Sequence, residues 1–282
     1  MGNLTRTGAP RLIAAAAAAI VFVAGASALA PALCQAAPPA PNAPPKAPAK
    51  EPVKVFSAGA CERFVAAAAA RFKKEHGRAV VIEEGTVGQL VERISEGEQF
   101  DVALLTPAGV QRVPEGFLAG APMELARVGI GVVVRQNAPR PDIATLDAFE
   151  QTLRQARSIA YVDPAAGGTS GIYFSHLLER LGLAEEVRPK AVLVPGGAVA
   201  QRVASGQAEI GIQMMSELTG VKGVTLIGPL PAPIQTYTVY SGVLSASPSD
   251  AEAARELLDL LASAAVDDLL KGAGLERPPA AR

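Results

Sequence analysis

Residues 162–182, VDPAAGGTSGIYFSHLLERLG, carry a short apolar strand into a glycine-rich turn and then directly into an amphipathic helix. Thr169 or Ser170 can cap such a helix, and the glycines at 167, 168 and 171 let the backbone approach a ligand closely. The first N–H groups of a helix have no partner within it and carry a partial positive charge, so they bind anions. The segment therefore predicts an anion-binding junction, with an ordinary capped helix as the alternative.

The same order of strand, polar turn and helix recurs on both sides of this segment. Upstream, apolar runs at 53–56, 79–82 and 100–105 lead into helical patterns through Ser57-Ala58-Gly59-Ala60, Thr86-Val87 and Thr106-Pro107. Downstream, apolar runs lie at 158–162, 191–194, 208–213 and 224–227, and a helix follows Pro195-Gly196-Gly197. This alternation predicts a mostly parallel sheet flanked by helices, in which ligands bind beyond the carboxyl ends of the strands.

Two longer apolar runs, 125–134 and 236–244, interrupt the alternation and predict two crossings between separate lobes. We therefore expect an α/β protein with two lobes, each a mostly parallel sheet flanked by helices, joined at two hinge crossings. Residues 53–130 and 236–282 are assigned to lobe 1, and residues 131–235 to lobe 2. The last helical pattern would pack on lobe 1 through Ala254, Leu257, Leu258 and Leu261.

The N-terminal 36 residues have the features of a secretory signal peptide. Arg6 and Arg11 precede a long apolar run, which small residues and a proline-rich stretch follow. Cleavage after Ala36 suits the small residues before it, so we predict a signal peptide over 1–36 and a periplasmic protein. Two alternatives remain: an uncleaved membrane anchor, because the run is long enough to span a bilayer, and a lipid anchor on Cys34.

The segment after the predicted signal peptide is rich in proline. Seven of the fifteen residues from Pro38 to Pro52 are proline, and no large apolar side chain lies among them. Such a segment cannot form a core, so residues 37–52 are predicted to be an extended linker and the folded part begins near Val53. The chain has 26 basic and 27 acidic residues, so we expect neither nucleic acid nor an anionic membrane as a partner.

Cysteine and histidine are too scarce for several catalytic and metal-binding arrangements. Cys61 alone remains after cleavage at Ala36, so no intrachain disulfide is expected, and Cys61 is predicted to be a small buried side chain. With two histidines and no Cys-x-x-Cys motif, we expect no metal and no cofactor. Glu84, Asp101 and Asp163 are interpreted as turn or cap residues, so the chain is not expected to be an enzyme.

The chain resembles the extracytoplasmic molybdate-binding proteins of ABC importers, which have the class II periplasmic binding protein fold. The resemblance is carried by VKVFSAGACERFVAAAAARFKKEHGRAVVIEEGTVGQLVERISEGEQFDVALLT at 53–106, DPAAGGTSGIYFSHLLERLG at 163–182, VASGQAEIGI at 203–212 and VYSGVLSAS at 239–247. It implies a hinged protein that captures a small solute between its lobes and presents it to a permease in the inner membrane.

The resemblance also implies where the ligand binds. In that family a serine after the first strand, a serine at the second helix start and a tyrosine after a later strand give hydroxyls to the oxyanion. These positions fall on Ala60, Val87 and Met214, so all three hydroxyls are replaced. Each lost hydrogen bond would cost roughly 1–3 kcal/mol, which argues against molybdate but not against another anion. Nearby hydroxyls remain at Ser57, Thr86, Thr169 and Ser170.

We therefore expect a monomeric solute-binding protein that captures a small anion by lobe closure. The anion is a molybdate-like oxyanion or a small carboxylate, and Met214 favours a carboxylate with an apolar part. A membrane-tethered ligand sensor with the same fold, and less readily an enzyme on this fold, are the alternatives. The expected ligand-binding residues are Ser57, Ala58, Gly59, Ala60, Thr86, Val87, Thr169, Ser170, Gly196 and Met214.

Overall fold

A computed structural model describes residues 51–279 of the 282-residue chain. The predicted signal peptide, 1–36, and almost all of the predicted linker, 37–52, lie outside the described residues. Over the range that is described, no helix is both long enough and apolar enough to cross a membrane.

The described residues form nine strands and ten α-helices. The strands are β1 Val53–Ala58, β2 Val80–Gly85, β3 Val102–Leu105, β4 Leu118–Arg135, β5 Ile159–Val162, β6 Ala191–Val194, β7 Ile210–Met214, β8 Val224–Pro229 and β9 Tyr237–Ser245. The helices are α1 Glu62–His76, α2 Val87–Ser95, α3 Pro107–Arg112, α4 Leu146–Gln155, α5 Thr169–Arg180, α6 Ala184–Val187, α7 Val199–Ala204, α8 Met215–Leu218, α9 Ala251–Ala262 and α10 Asp267–Gly272.

The strands hydrogen-bond in the order β2-β1-β3-β9-β4-β7-β5-β6, and β8 pairs with β4. Within the lobes the pairing is parallel, since β1 runs parallel to β2 and β3, and β5 runs parallel to β6 and β7. The two crossing strands, β4 and β9, pair antiparallel with their neighbours. The predicted α/β architecture of two helix-flanked sheets joined at two crossings is confirmed.

Strand β4 belongs to both sheets and changes partner near its middle. Its residues up to Gly129 pair with β9, whereas its residues from Ile130 pair with β7 and β8. At the change, the side-chain amide of Gln235 bonds the backbone of Ile130: Ile130 N–H donates to Oε1 at 3.1 Å, and Nε2 donates to the Ile130 carbonyl at 2.8 Å. A side chain thus supplies the bonds that a strand neighbour would make.

The helical periodicity read from the sequence corresponds to buried faces. Phe64, Ala68 and Phe72 of α1 are buried, and α1 ends at Gly77, whose φ of 65° lies in the left-handed region that favours glycine. Helix α9 buries Ala254, Leu257, Leu258 and Leu261, as predicted. Each large apolar side chain buried in this way stabilises the fold by roughly 1.5–3 kcal/mol. Packing on the sheets therefore brings the strand-to-helix junctions together.

Candidate functional site

A cavity of about 230 Å³ lies where the strand-to-helix junctions of the two lobes meet. This is smaller than most sites for drug-sized ligands, so it suits a small solute. Nine of the ten residues expected to bind ligand line it: Ala58, Gly59, Ala60, Thr86, Val87, Thr169, Ser170, Gly196 and Met214. The tenth, Ser57, does not line it; the Ser57 side chain is fully buried and its hydroxyl donates to the Ala58 carbonyl at 3.2 Å.

The start of α5 differs from the prediction in its cap. Gly168 is the N-cap residue and no side chain caps the helix, so the prediction that Thr169 or Ser170 caps it is wrong. Thr169 and Ser170 are instead the first two helical residues and line the cavity. Their N–H groups lie in the first turn, where a helix has no internal acceptors to offer. The helix start therefore keeps donors for a ligand.

Packing against β5 requires glycine at two positions of the turn, 168 and 171. A Cβ on Gly168 would lie 2.3 Å from Val162 Cγ1, and a Cβ on Gly171 would lie 2.0 Å from the Val162 carbonyl oxygen. Real Cβ atoms essentially never come this close, so α5 can sit against β5 only with glycine at both positions. Gly168 nevertheless lines the cavity, so the structure corrects the prediction of close approach to a ligand only for Gly171, which does not line it.

The start of α2 joins the two lobes across the cavity. Thr86 caps α2 in a reciprocal arrangement with Gln89, and the Thr86 hydroxyl also donates to the Ala166 carbonyl of the opposite lobe. Next to it, Gly88 N–H donates to the Gly167 carbonyl at 3.3 Å. We expected the polar groups of this junction to bind the ligand. Several of them instead form hydrogen bonds between the lobes.

Glu217, on the four-residue helix α8, brings a carboxyl group into the cavity. Glu217 Oε1 accepts a hydrogen bond of 2.7 Å from Gln213 Nε2. The same oxygen lies against the backbone of both lobes, because a Cβ on Gly59 would be 3.0 Å from it and a Cβ on Gly197 would be 3.2 Å away. Burial raises the pKa of Glu217 to about 8, and the neighbouring carboxyl of Glu84 adds to the increase. Glu217 is thus able to hold or release a proton near neutral pH.

Glu84, at the end of β2, is a second acidic residue in the cavity lining. Partial burial raises the pKa of Glu84 to about 7, and the nearby Glu62 carboxyl, to which a protonated Glu84 donates a hydrogen bond, contributes. The sequence analysis interpreted Glu84, Asp101 and Asp163 as turn or cap residues. Asp163 does cap a short helical turn through Ala165 N–H, whereas Asp101 accepts from the distant backbone N–H groups of Lys54 and Ser249. Glu84 instead lines the cavity and interacts electrostatically with Glu217.

No Lys, Arg or His side chain of residues 51–279 lines the cavity. The remaining donors are backbone N–H groups, hydroxyls, the side-chain amide of Gln89 and any protonated carboxyl. Tyr240 lines the cavity on β9; burial raises the pKa of its hydroxyl well above the ordinary value, and a hydrogen bond with Thr169 acts in the opposite direction. Cys61 is buried and free, as predicted, and burial raises the pKa of its thiol. An anion here would be held without a fixed positive charge.

Sequence reasoning did not assign four of the residues that shape this site: Gly197, Glu217, Gln213 and Tyr240. Gly197 and Tyr240 lie within segments already quoted, one beside Gly196 and the other in VYSGVLSAS. Gln213 was recognisable as a polar residue beside a predicted ligand-facing turn, but its role could not be assigned from the sequence. For Glu217 the sequence holds one signal, an acidic residue just after a strand that ends at Met214.

Comparison with known proteins places the chain in a family. A model described as bacterial extracellular solute-binding protein matches residues 53–276. An aconitate isomerase from Pseudomonas sp is 38% identical over 191 residues, which are 67% of this chain and 71% of that protein.

Solved structures agree on the fold. The periplasmic molybdate-binding protein of Azotobacter vinelandii superposes with a TM-score of 0.67 at 21% identity, covering 80% of this chain and 100% of that one. The substrate-binding domain of a putative molybdenum ABC transporter from Clostridium difficile gives 0.60 at 17% identity, covering 80% and 99%. The resemblance to molybdate-binding proteins is thereby confirmed at the level of fold, and the chain belongs to the bacterial extracellular solute-binding proteins.

Proposed function

We propose that this protein binds a small unsaturated polycarboxylate of the aconitate type in its cleft and interconverts the cis and trans isomers by moving a proton. The observation that carries the proposal is the carboxyl of Glu217, which lines the cavity with a pKa raised to about 8. The isomerase relative, at 38% identity, supports the choice of substrate class. A protein that only captured anions would have little use for two acidic side chains in the cavity.

The chemistry needs an acid–base group and no cofactor. Aconitate has a CH₂ group between a carboxylate and a carbon–carbon double bond, which makes the CH₂ protons acidic. An ionised glutamate removes one of them, and the double bond moves to the former CH₂ carbon. A protonated glutamate then returns a proton at the far carbon of the allylic system, so the product is an isomer with no atom gained or lost. Groups with a pKa near the working pH suit this role best.

Glu217 and Glu84 match these two roles in outline. Because their carboxyls interact and both have a pKa raised toward neutrality, one is protonated and one ionised over a range around pH 7–8. The carboxylates of the substrate would be held by N–H groups at the start of α5 and at the turns Gly59–Ala60 and Gly196–Gly197. Met214 supplies an apolar wall for the carbon skeleton.

The second candidate is capture of a small anion for an ABC permease, without conversion. It is favoured by the family and by the two-lobed fold, whose members include binding proteins for oxyanions. In this function the lobes close on the ligand and a permease of the inner membrane receives it. We further infer a signal peptide over 1–36 and a linker over 37–52, and a monomeric periplasmic protein. The chain passes from lobe 1 to lobe 2 at residues 130/131 and returns to lobe 1 at residues 235/236.

The experiment that separates the two functions is proton NMR of the purified protein with cis- or trans-aconitate in D₂O. We expect conversion of either isomer and incorporation of deuterium at the carbons that exchange protons. Glu217→Gln should still bind but should lower the rate by at least about 100-fold, the typical contribution of one acid–base group. Glu252→Gln, an exposed acid on α9, is the matched control and should convert normally.

Tight binding of aconitate or another small carboxylate by the wild type, with no conversion and no deuterium uptake, would replace the isomerase with the capture function.

A further inference from the structure

Gln213 is fully buried on β7 and directly adjoins the acid–base candidate. Its Nε2 donates to Glu217 Oε1 at 2.7 Å, whereas its Oε1 has no hydrogen-bond partner among the described residues. A buried amide oxygen without a partner is unfavourable, and an apolar side chain of similar size would avoid it. A glutamine in this place therefore calls for a reason other than packing.

We propose that Gln213 is the positioning residue that keeps Glu217 hydrogen-bonded in both of its protonation states. With the carboxyl ionised, Gln213 donates from Nε2, as observed. With the carboxyl protonated, rotation of the amide by half a turn places Oε1 where Nε2 was, and Oε1 accepts the Glu217 O–H. The inference rests on the proposed function, in which Glu217 takes up and returns a proton.

The unpartnered oxygen is what makes this exchange feasible. If Oε1 were bonded to a fixed donor, rotation would break a good hydrogen bond and the amide would be locked to the ionised state. Because that side of the amide has no partner among the described residues, rotation does not break a bond there. The amide can thus follow the proton while the carboxyl stays in place against Gly59 and Gly197.

None of the other titratable groups around Glu217 stabilises its ionised form. Glu84 and Glu62 are acids that raise the pKa of Glu217, and burial does the same. Cys61 and Tyr240 also lie near enough to interact with its charge, and neither supplies a positive charge. Gln213 acts against them by stabilising the ionised form. Gln213 can bond both forms, but its bond to the ionised carboxylate is charge-assisted and is the stronger of the two, so loss of the amide should move the titration of Glu217 to higher pH.

The test is a carbon-13 NMR titration of the Glu217 carboxyl, assigned by its disappearance in Glu217→Gln. In Gln213→Leu, which removes both amide groups at similar size, the midpoint should rise by roughly half a pH unit or more. The pH profile of isomerisation should move with it, with kcat lowered and KM little changed. Gln151→Leu, an exposed glutamine on α4, is the matched control and should leave the midpoint unchanged.

Gln213→Met serves the same purpose if Gln213→Leu fails to fold. An unchanged Glu217 midpoint in a folded Gln213 variant would overturn the inference. If the midpoint rises but the wild type converts neither aconitate isomer, the proposed reaction fails while the influence of Gln213 on the proton of Glu217 stands, so the two failures are distinguishable.

Discussion

Gly88 and Gly167 touch through their backbones across the cleft. A Cβ on Gly88 would lie 2.8 Å from Gly167 Cα, and a Cβ on Gly167 would lie 2.7 Å from Gly88 Cα. The Gly88–Gly167 and Thr86–Ala166 hydrogen bonds run beside this contact. Together they join the lobes beside the cavity, and a methyl group at either glycine would fit only if this contact widened.

Gly88→Ala should therefore favour an open cleft. Gly167 has a φ of 72°, so Ala there would add backbone strain, whereas Gly88 is helical and accepts Ala without it. We expect a larger radius of gyration in solution scattering and ligand affinity lowered by about tenfold, which corresponds to roughly 1.4 kcal/mol. Gly272→Ala, with nothing near its Cβ, is the control. Equal affinity and an equal radius in Gly88→Ala would contradict the role given to this contact.

Stability should fall as the pH rises from about 4.5 to 8. The pKa of Glu217 is raised from 4.5 to about 8 in the folded protein, so the folded state binds more protons than the unfolded state over this range. The stability linked to this group is complete below pH 4.5 and is lost as the pH passes 8. The loss should be on the order of 3 kcal/mol, because Glu217 is half-buried rather than fully withdrawn from water.

Thermal melting of the wild type and of Glu217→Gln at pH 5.5 and 8.5 measures this effect. The wild type should melt lower at pH 8.5, and the difference should shrink in Glu217→Gln, which cannot ionise. The surface variant Glu252→Gln should keep the full difference. A pH dependence that is the same in all three proteins would mean that Glu217 does not titrate in this range.

Ala60→Ser combined with Val87→Ser should bring back affinity for an oxyanion. Both residues line the cavity at positions where the resembling molybdate-binding proteins have serine. Each recovered hydrogen bond contributes roughly 1–1.5 kcal/mol, so the double variant should bind molybdate at least about tenfold more tightly than the wild type. Thermal shift with molybdate and with aconitate measures the gain, with Ala60→Ser alone as the partial step. No gain with molybdate would mean that the oxyanion position is not shared.

Much of the fold could be predicted because each element carries its own signals. Apolar residues at the helical period place Phe64 and Phe72 on one buried face, and Gly77 ends that helix in the left-handed conformation. The longer runs that become β4 and β9 differ from the short strands in length alone, yet that difference indicates the two crossings. These signals are local: they indicate the elements and the crossings, whereas the order of the strands in the sheet comes from the structure.

The site was only partly predictable, because its details depend on contacts between distant segments. Junction residues such as Thr169 could be found, since every strand end in such a sheet faces the same cleft. Glu217 could not, because a helix of four residues has no periodicity and its neighbour Gly59 lies in the other lobe. Nor does a sequence distinguish a glycine that admits a ligand from one, such as Gly171, that admits a strand.

No Lys, Arg or His side chain of the described residues lines the cavity. This affects how long a ligand stays bound. A flexible arginine side chain can stay bound to a carboxylate as a cleft opens. Backbone N–H groups at helix starts are rigid, so water takes the place of the ligand on them when the cleft opens. The residence time would then equal the lifetime of the closed state, and each opening would renew the contents of the cavity. The rate of ligand exchange would then depend on how often the contact between Gly88 and Gly167 breaks.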